Sequence, residues 1–109
     1  MKRMKLLTKE LERRFAQLGS QEARGDEAVV VAKFFTPDAQ WTWWATEYDP
    51  ESREFFGLVQ GFEVELGYFS LDELENATGP LGLPIERDLS WKEQTLGEVR
   101  RVLYGRRCA

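Results

Sequence analysis

Hydrophobic residues recur at helical spacing near both ends of the chain, and short apolar runs fill the middle. Thr8 is a good N-cap for the first of these helices, which is expected to end at Gly19. The apolar positions that follow the cap at helical spacing are Leu11, Phe15 and Leu18. Thr95 and Glu98 form a capping box ahead of a second apolar stripe, and Ser70 opens another capping box. The pattern therefore predicts a helix near each end and a short helix between them.

Four apolar runs between these helices are rich in β-branched and aromatic residues, which predicts β-strands. The runs are 29–35, 41–48, 55–59 and 62–68. Gln60-Gly61 separates the last two and is typical of a two-residue hairpin turn, because glycine adopts positive φ readily. We expect an α+β fold with a four-stranded antiparallel meander packed on one face by the N- and C-terminal helices, and residues 1–109 forming a single domain.

A Gly/Pro-rich segment at 79–88 follows the short helix. It is too long for a plain connector, and it contains three branched apolar side chains. We therefore expect an ordered loop that packs over a face or an edge of the sheet, with Arg87 reaching toward nearby carboxylates.

A two-residue turn at Gln60-Gly61 would divide the side chains of the last hairpin between two faces. One face would be apolar and buried under the helices, and it would hold Phe55, Val59, Phe62, Val64 and Leu66. The other face would combine aromatic side chains with carboxylates, and its candidate binding residues are Trp41, Trp43, Glu47, Phe56, Glu63 and Glu65. Because side chains alternate along a strand, a slip of one residue would exchange the two sets.

Three interpretations of this predicted mixed face are open. In the first, the segment 79–91 covers the aromatic side chains and leaves the carboxylates at the rim. In the second, the aromatic side chains anchor a protein partner inside an acidic border. In the third, Glu47, Glu63 and Glu65 bind Mg²⁺ or Mn²⁺ for cleavage of a phosphodiester chain. Alternating glutamates are common on strands, so the spacing alone gives the metal site weak support.

The overall charge narrows the choice of partner. The chain carries fifteen Lys and Arg against nineteen Asp and Glu, a net charge of −4. The acidic excess lies between residues 47 and 88, where there are eleven acidic side chains and two basic ones. Dedicated DNA-binding and membrane-binding proteins are usually basic, so this balance disfavours both classes.

The residue types exclude several kinds of chemistry. The chain has no His, which rules out His-based catalysis and His-containing zinc sites. Its one Cys, Cys108, allows neither an internal disulfide nor a multi-Cys metal site, and there is no glycine-rich phosphate loop. No catalytic residue is assigned, and whether the chain is an enzyme stays open. The N-terminal apolar run is too short for a signal peptide and no stretch is long enough to span a bilayer, so a cytoplasmic protein is expected.

Several runs of the sequence together resemble an uncharacterised bacterial family, domain of unknown function 2958. The runs are 4–11, 33–37, 41–43, 45–47, 56–59, 61–71 and 79–88. The resemblance extends over nearly the whole chain, although Gln60 stands where the family tends to have Asp. It implies a small protein carried on plasmids, phages or integrative elements. Some members carry a single-stranded DNA endonuclease label, but the resemblance supplies no catalytic residues.

Two hypotheses of different classes follow. The first is a small acidic interaction protein of a mobile genetic element, binding a host or element-encoded protein, such as one that binds nucleic acid, through the mixed face. It needs no cofactor and is expected to be a monomer or a weak dimer. The alternative is a metal-dependent single-stranded DNA endonuclease, in which the tryptophans stack on bases. The acidic middle of the chain favours the first hypothesis, because it repels a phosphate backbone.

Overall fold

The computed structural model of the chain describes residues 4–105, in which there are three α-helices and seven strands. The helices are α1 (Lys9–Leu18), α2 (Leu71–Asn76) and α3 (Leu96–Gly105). The strands are β1 (Val29–Val30), β2 (Ala32–Phe35), β3 (Thr42–Asp49), β4 (Glu54–Gln60), β5 (Val64–Ser70), β6 (Glu86–Arg87) and β7 (Gln94–Thr95). A 3₁₀ segment at Glu22–Glu27 precedes β1. Cys108 lies outside the described residues.

Each helix begins with the capping residues that the sequence predicts. Thr8 Oγ1 and Ser70 Oγ each accept a backbone N–H of the first turn at 3.2 Å, in α1 and α2 respectively. At α3, the Thr95 N–H donates to Glu98 Oε1 at 3.0 Å and the Glu98 N–H donates to Thr95 Oγ1 at 3.2 Å. This reciprocal pair is the predicted capping box.

The main sheet is mostly antiparallel and has five strands in the order β5-β4-β3-β2-β6. The α+β class is therefore confirmed, and β2 to β5 are consecutive antiparallel neighbours, but the predicted count of four strands was wrong. The fifth strand, β6, pairs with Phe34 and Phe35 at the outer edge of β2, where it satisfies backbone groups that would otherwise be open. The predicted strand 29–35 is also divided, because β1 pairs with β7 in a small second sheet.

The β4–β5 hairpin has a different register from the predicted one. Gln60 pairs with Val64, so residues 61–63 form a three-residue loop instead of a two-residue turn. The extra loop residue moves every side chain of β5 to the opposite face. As a result, Phe62 is 96% exposed and Leu66 is 44% exposed, although both were predicted to be buried.

A β-bulge in β3 changes a second predicted pairing. The register shifts at Thr46, so the residues before it change face relative to those after it. Trp43 consequently lies opposite Val59, on the face that contains Phe55, and not beside Phe56 as predicted. The Thr46 hydroxyl donates to the Phe56 carbonyl at 3.1 Å, which stabilises the bulge.

Both faces of the main sheet are buried in part, and α1 and α3 pack on opposite faces. On the first face, Phe15 of α1 packs in a core cluster with Phe34 and Phe55. On the second face, Leu96 of α3 packs in a separate cluster with Leu58. The prediction that both helices cover one face was wrong. The loop and the bulge place apolar side chains on both faces, and each apolar face needs a cover.

The Gly/Pro-rich segment packs against the sheet, as predicted, but it is not a loop throughout, because Glu86 and Arg87 form the edge strand β6. Its tip is held by Asp38, whose carboxylate accepts the Leu81 N–H at 2.7 Å. Ile85 enters the first core cluster and is 4% exposed. Arg87, however, makes no ion pair with a carboxylate in residues 4–105, and its Nε–H donates to the Lys5 carbonyl at 3.4 Å.

Candidate functional site

Three aromatic side chains, of which Trp41 and Phe62 are exposed and Trp43 is half-buried, form a group at the end of the sheet where the β4–β5 hairpin turns. The rings of Trp41 and Trp43 stack, with centroids 6.0 Å apart and an interplanar angle of 26°. Phe62 meets Trp41 edge to face at 5.7 Å. The Trp41 ring rests directly on the backbone of Gly61, where an added Cβ would collide with the indole. We call Trp41, Trp43 and Phe62 the aromatic cluster.

A groove of about 350 Å³ opens beside the aromatic cluster, between the sheet and α2. Its lining residues are Thr36, Trp41, Trp43, Tyr68, Phe69, Ser70, Glu73, Leu74, Ala77, Thr78 and Ile85. Gly67 adds open space on the first face of β5, since a Cβ placed there would meet no atom within 4 Å. An apolar groove next to exposed aromatic rings is typical of a binding surface.

The charged groups around this groove are carboxylates. Glu73 lines the groove, Glu65 lies opposite Val59 on the first face, and Glu63 follows Phe62 in the hairpin loop. All three glutamates are exposed, and within residues 4–105 none of them forms a salt bridge. A groove with carboxylates around it attracts a ligand that carries positive charge.

Two of the predicted site residues, Glu47 and Phe56, lie on the second face. Phe56 packs edge to face with Tyr68 at 4.9 Å, and Tyr68 is 75% exposed. The Glu47 carboxylate accepts the Gln21 N–H at 3.0 Å, so this side chain fastens the segment after α1 to β3. The structure therefore groups Trp41 and Trp43 with Glu63 and Glu65 but separates them from Glu47 and Phe56.

A surface depression of about 320 Å³ lies near the end of β3, with Glu47, Tyr48 and Phe56 among its lining residues. Burial is the main cause that raises the pKa of Tyr48 above its usual value, and the positive charge of Arg53 partly offsets it. The Tyr48 hydroxyl is thus protonated at neutral pH and is not an activated base.

The three glutamates of the metal hypothesis do not converge. Glu47 lies on the second face, Glu65 on the first, and Glu63 in the hairpin loop. Across the part of the chain that the structure describes, no group of three or more Asp, Glu, His or Cys side chains could hold a metal ion. The arrangement therefore offers a divalent cation no multi-carboxylate site in this region.

Two residues important to this surface and its support were not identified from the sequence. The sequence predicts that Phe62 is buried, because an apolar residue at the start of an apolar run is expected to belong to the strand. Gln21 lies in a polar segment without periodicity, yet it is 2% exposed. Its amide donates to the carbonyls of Thr46 at 2.6 Å and Val29 at 2.9 Å, and accepts the Val29 N–H at 2.7 Å. Contacts between such distant residues leave no local sequence signal.

The family model described as "Protein of unknown function (DUF2958)" matches residues 6–98, which include the aromatic cluster and the whole groove. No curated protein and no solved structure matches the chain significantly. Within residues 4–105, no helix has the length and apolar character needed to cross a membrane.

Proposed function

The chain belongs to the DUF2958 family of proteins of unknown function, and we propose that it is a small protein-binding module for a basic partner. The aromatic cluster and the adjoining groove would hold that partner, a host or element-encoded protein such as one that binds nucleic acid. The expected setting, a mobile genetic element in the cytoplasm, follows from the sequence and the family resemblance, and so does the expected state of monomer or weak dimer.

The exposure of the aromatic cluster is the observation that carries this proposal. Phe62 is 96% exposed and Trp41 is 37% exposed. Full burial of a large apolar side chain typically contributes about 1.5–3 kcal/mol, of which Phe62 gains almost none and Trp41 only a part in the isolated chain. Aromatic side chains in this position dominate the affinity of many interfaces once a partner covers them.

The charge around the aromatic cluster favours a basic partner over a nucleic acid. Glu63, Glu65 and Glu73 lie beside the groove, and no Lys or Arg among the described residues lines it. A phosphate chain brought to this surface would meet repulsion without bound cations to offset it. A basic protein surface would instead be steered toward it.

Binding kinetics with the captured partner test the proposal. The partner is first isolated from the native host at low salt and identified, and it is then produced as a purified protein. Trp41→Ala should weaken its affinity by at least about tenfold, as truncation of a central aromatic anchor typically does. The triple variant Glu63→Gln, Glu65→Gln, Glu73→Gln should slow association and flatten its dependence on salt.

A second triple variant serves as the matched control. Glu10→Gln, Glu22→Gln and Glu27→Gln remove the same charge from exposed positions that do not line the groove. This control should change the association rate less than the groove triple does. Wild-type kinetics in both Trp41→Ala and the groove triple would refute the proposal, provided that all variants melt cooperatively.

A cleavage assay tests the endonuclease hypothesis. Purified wild-type chain is incubated with a single-stranded oligonucleotide in Mg²⁺ or Mn²⁺. Metal-dependent cleavage that disappears in a Glu47→Gln, Glu63→Gln, Glu65→Gln variant would overturn the binding-module proposal in favour of the nuclease.

A further inference from the structure

The two edges of the main sheet differ in length and regularity. At one edge, β6 has two residues and follows Pro84 closely. At the other edge, β5 pairs with β4 at seven successive positions without a register shift. Native proteins usually shorten, bend or protect such an edge, because its open backbone groups recruit another strand. β5 (Val64–Ser70) contains neither Pro nor Lys and pairs without a bulge, and its one charged side chain is Glu65.

We propose that the outer edge of β5 binds an extended basic segment of the partner, which adds to the sheet as a further strand. This inference rests on the proposed function and specifies how the partner would bind. Within residues 4–105, the backbone groups of residues 64–69 make no hydrogen bond other than those to β4. A strand of seven residues is about 23 Å long, which matches a partner segment of similar length.

The side chains beside this edge suit an added strand on both faces. Successive residues of the new strand would point alternately to the two faces of the sheet. On the first face they would pass Glu65 and the open space at Gly67, next to the groove. On the second face they would contact Leu66 and Tyr68, which are 44% and 75% exposed. Such contacts would bury apolar surface that the isolated chain leaves in water.

Charge selects a basic segment over a second copy of the chain. Edge-to-edge pairing of two copies would place Glu63 and Glu65 of each chain at one interface, with no basic side chain in β5 to offset them. Like charges so placed oppose pairing. A segment in which Lys or Arg alternates with apolar residues would neutralise these carboxylates while its backbone pairs with β5.

The probe is a nine-residue synthetic peptide in which Lys alternates with Val, added to the full chain. A matched peptide has the same side chains, with every backbone amide nitrogen methylated so that neither edge can donate hydrogen bonds. Hydrogen exchange of individual amides is followed by NMR. The unmodified peptide should slow exchange of the outward amides of β5 by at least about tenfold and leave α3 unchanged. The methylated peptide should bind at least about tenfold more weakly, because the strand ladder is lost. Glu65→Lys should weaken binding of the unmodified peptide, whereas Glu22→Lys should not.

Four results would overturn the inference. Equal binding of the methylated peptide, or binding that leaves the β5 amides unprotected, would show that no strand is added. The proposed function would survive this result, since it depends on the aromatic cluster and the partner kinetics. Absence of binding at millimolar peptide would also refute strand addition. Protection of β5 that rises with protein concentration, without peptide and with a dimer in solution, would assign the edge to a second copy.

Discussion

Two glycines that face each other across the β4–β5 ladder have opposite requirements. Gly57 pairs with Gly67. A Cβ at Gly57 would collide with the backbone carbonyl of Trp44, whereas a Cβ at Gly67 would meet nothing within 4 Å. Gly57 pairs with Ala45, the residue of β3 that directly precedes the bulge. Close packing therefore requires glycine at position 57 but not at position 67.

Alanine substitution should separate these two roles. Gly57→Ala should lower the free energy of unfolding by about 1–3 kcal/mol or more, because a rigid backbone must move to make room. Gly67→Ala should leave it unchanged or raise it by about 0.5–1 kcal/mol, since alanine restricts the unfolded chain. Urea unfolding monitored by tryptophan fluorescence measures both values. Equal effects of the two substitutions would contradict the close approach at Gly57.

Polar side chains position whole segments that apolar patterns leave undefined. Asp38 Oδ2 accepts the N–H groups of Leu81 at 2.7 Å and Leu83 at 3.4 Å, so a single carboxylate in the β2–β3 turn fastens the Gly/Pro-rich loop. Gly79 lies against the same carboxylate, where an added Cβ would collide with it. This anchoring brings the loop against the sheet next to the groove.

Loss of the Asp38 carboxylate should loosen that loop. Asp38→Ala should speed hydrogen exchange at Leu81 and Leu83 and lower the free energy of unfolding by about 1–3 kcal/mol, the usual effect of losing hydrogen bonds to a charged group. Asp38→Asn retains an acceptor oxygen and should show a smaller change. Unchanged exchange at Leu81 in Asp38→Ala would show that another contact holds the loop.

The capping box of α3 should make the start of this helix sensitive to pH. Hydrogen bonds from the Thr95 N–H and hydroxyl lower the pKa of Glu98 below its ordinary value. A lowered pKa in the folded state means that the carboxylate stabilises the helix above the usual glutamate range, and that this contribution disappears as the pH falls through the lowered pKa. Amides in the first turn of α3 should therefore exchange faster at acidic pH, after correction for intrinsic rates. Glu98→Gln should remove this pH-dependent step, and its persistence in that variant would assign the step to another group.

Across the whole molecule, the sheet separates two core clusters instead of covering a single one. Phe55 belongs to the cluster under α1, and Leu58 belongs to the cluster under α3. Trp41 and Phe62 belong to neither cluster. The proposed binding surface is thus the part of the sheet beside α2 where these aromatic side chains remain exposed.

Leucine truncations should reveal the two-sided core. Leu58 is 1% exposed, so Leu58→Ala should lower the free energy of unfolding by about 2–5 kcal/mol. Leu66 is 44% exposed, so Leu66→Ala should lower it by less than about 1 kcal/mol. The register predicted from the sequence would reverse this order. Denaturant midpoints of the two variants therefore decide between the predicted and the observed register.

Local sequence patterns were enough to predict the helices and their caps, the α+β class and the run of strands from β2 to β5. Each of these depends on residues that are close along the chain, such as Thr95 and Glu98 in a capping box. Composition and spacing also identified the acidic middle of the chain and two aromatic residues of the candidate site, Trp41 and Trp43. Such features follow from composition and spacing and need no knowledge of distant contacts.

The tertiary structure decided which face each side chain occupies. A three-residue loop at 61–63 and a bulge at Thr46 each change the count along a strand by one residue, and that change moves side chains to the other face. The loop length and the bulge depend on distant contacts, such as the bond from Gln21 to the Thr46 carbonyl across 25 residues of chain. For this reason Phe62 left the predicted core, and Glu47 left the predicted site. Because the free energy of both arrangements depends on the packing of α1 and α3 against opposite faces, no local pattern could distinguish them.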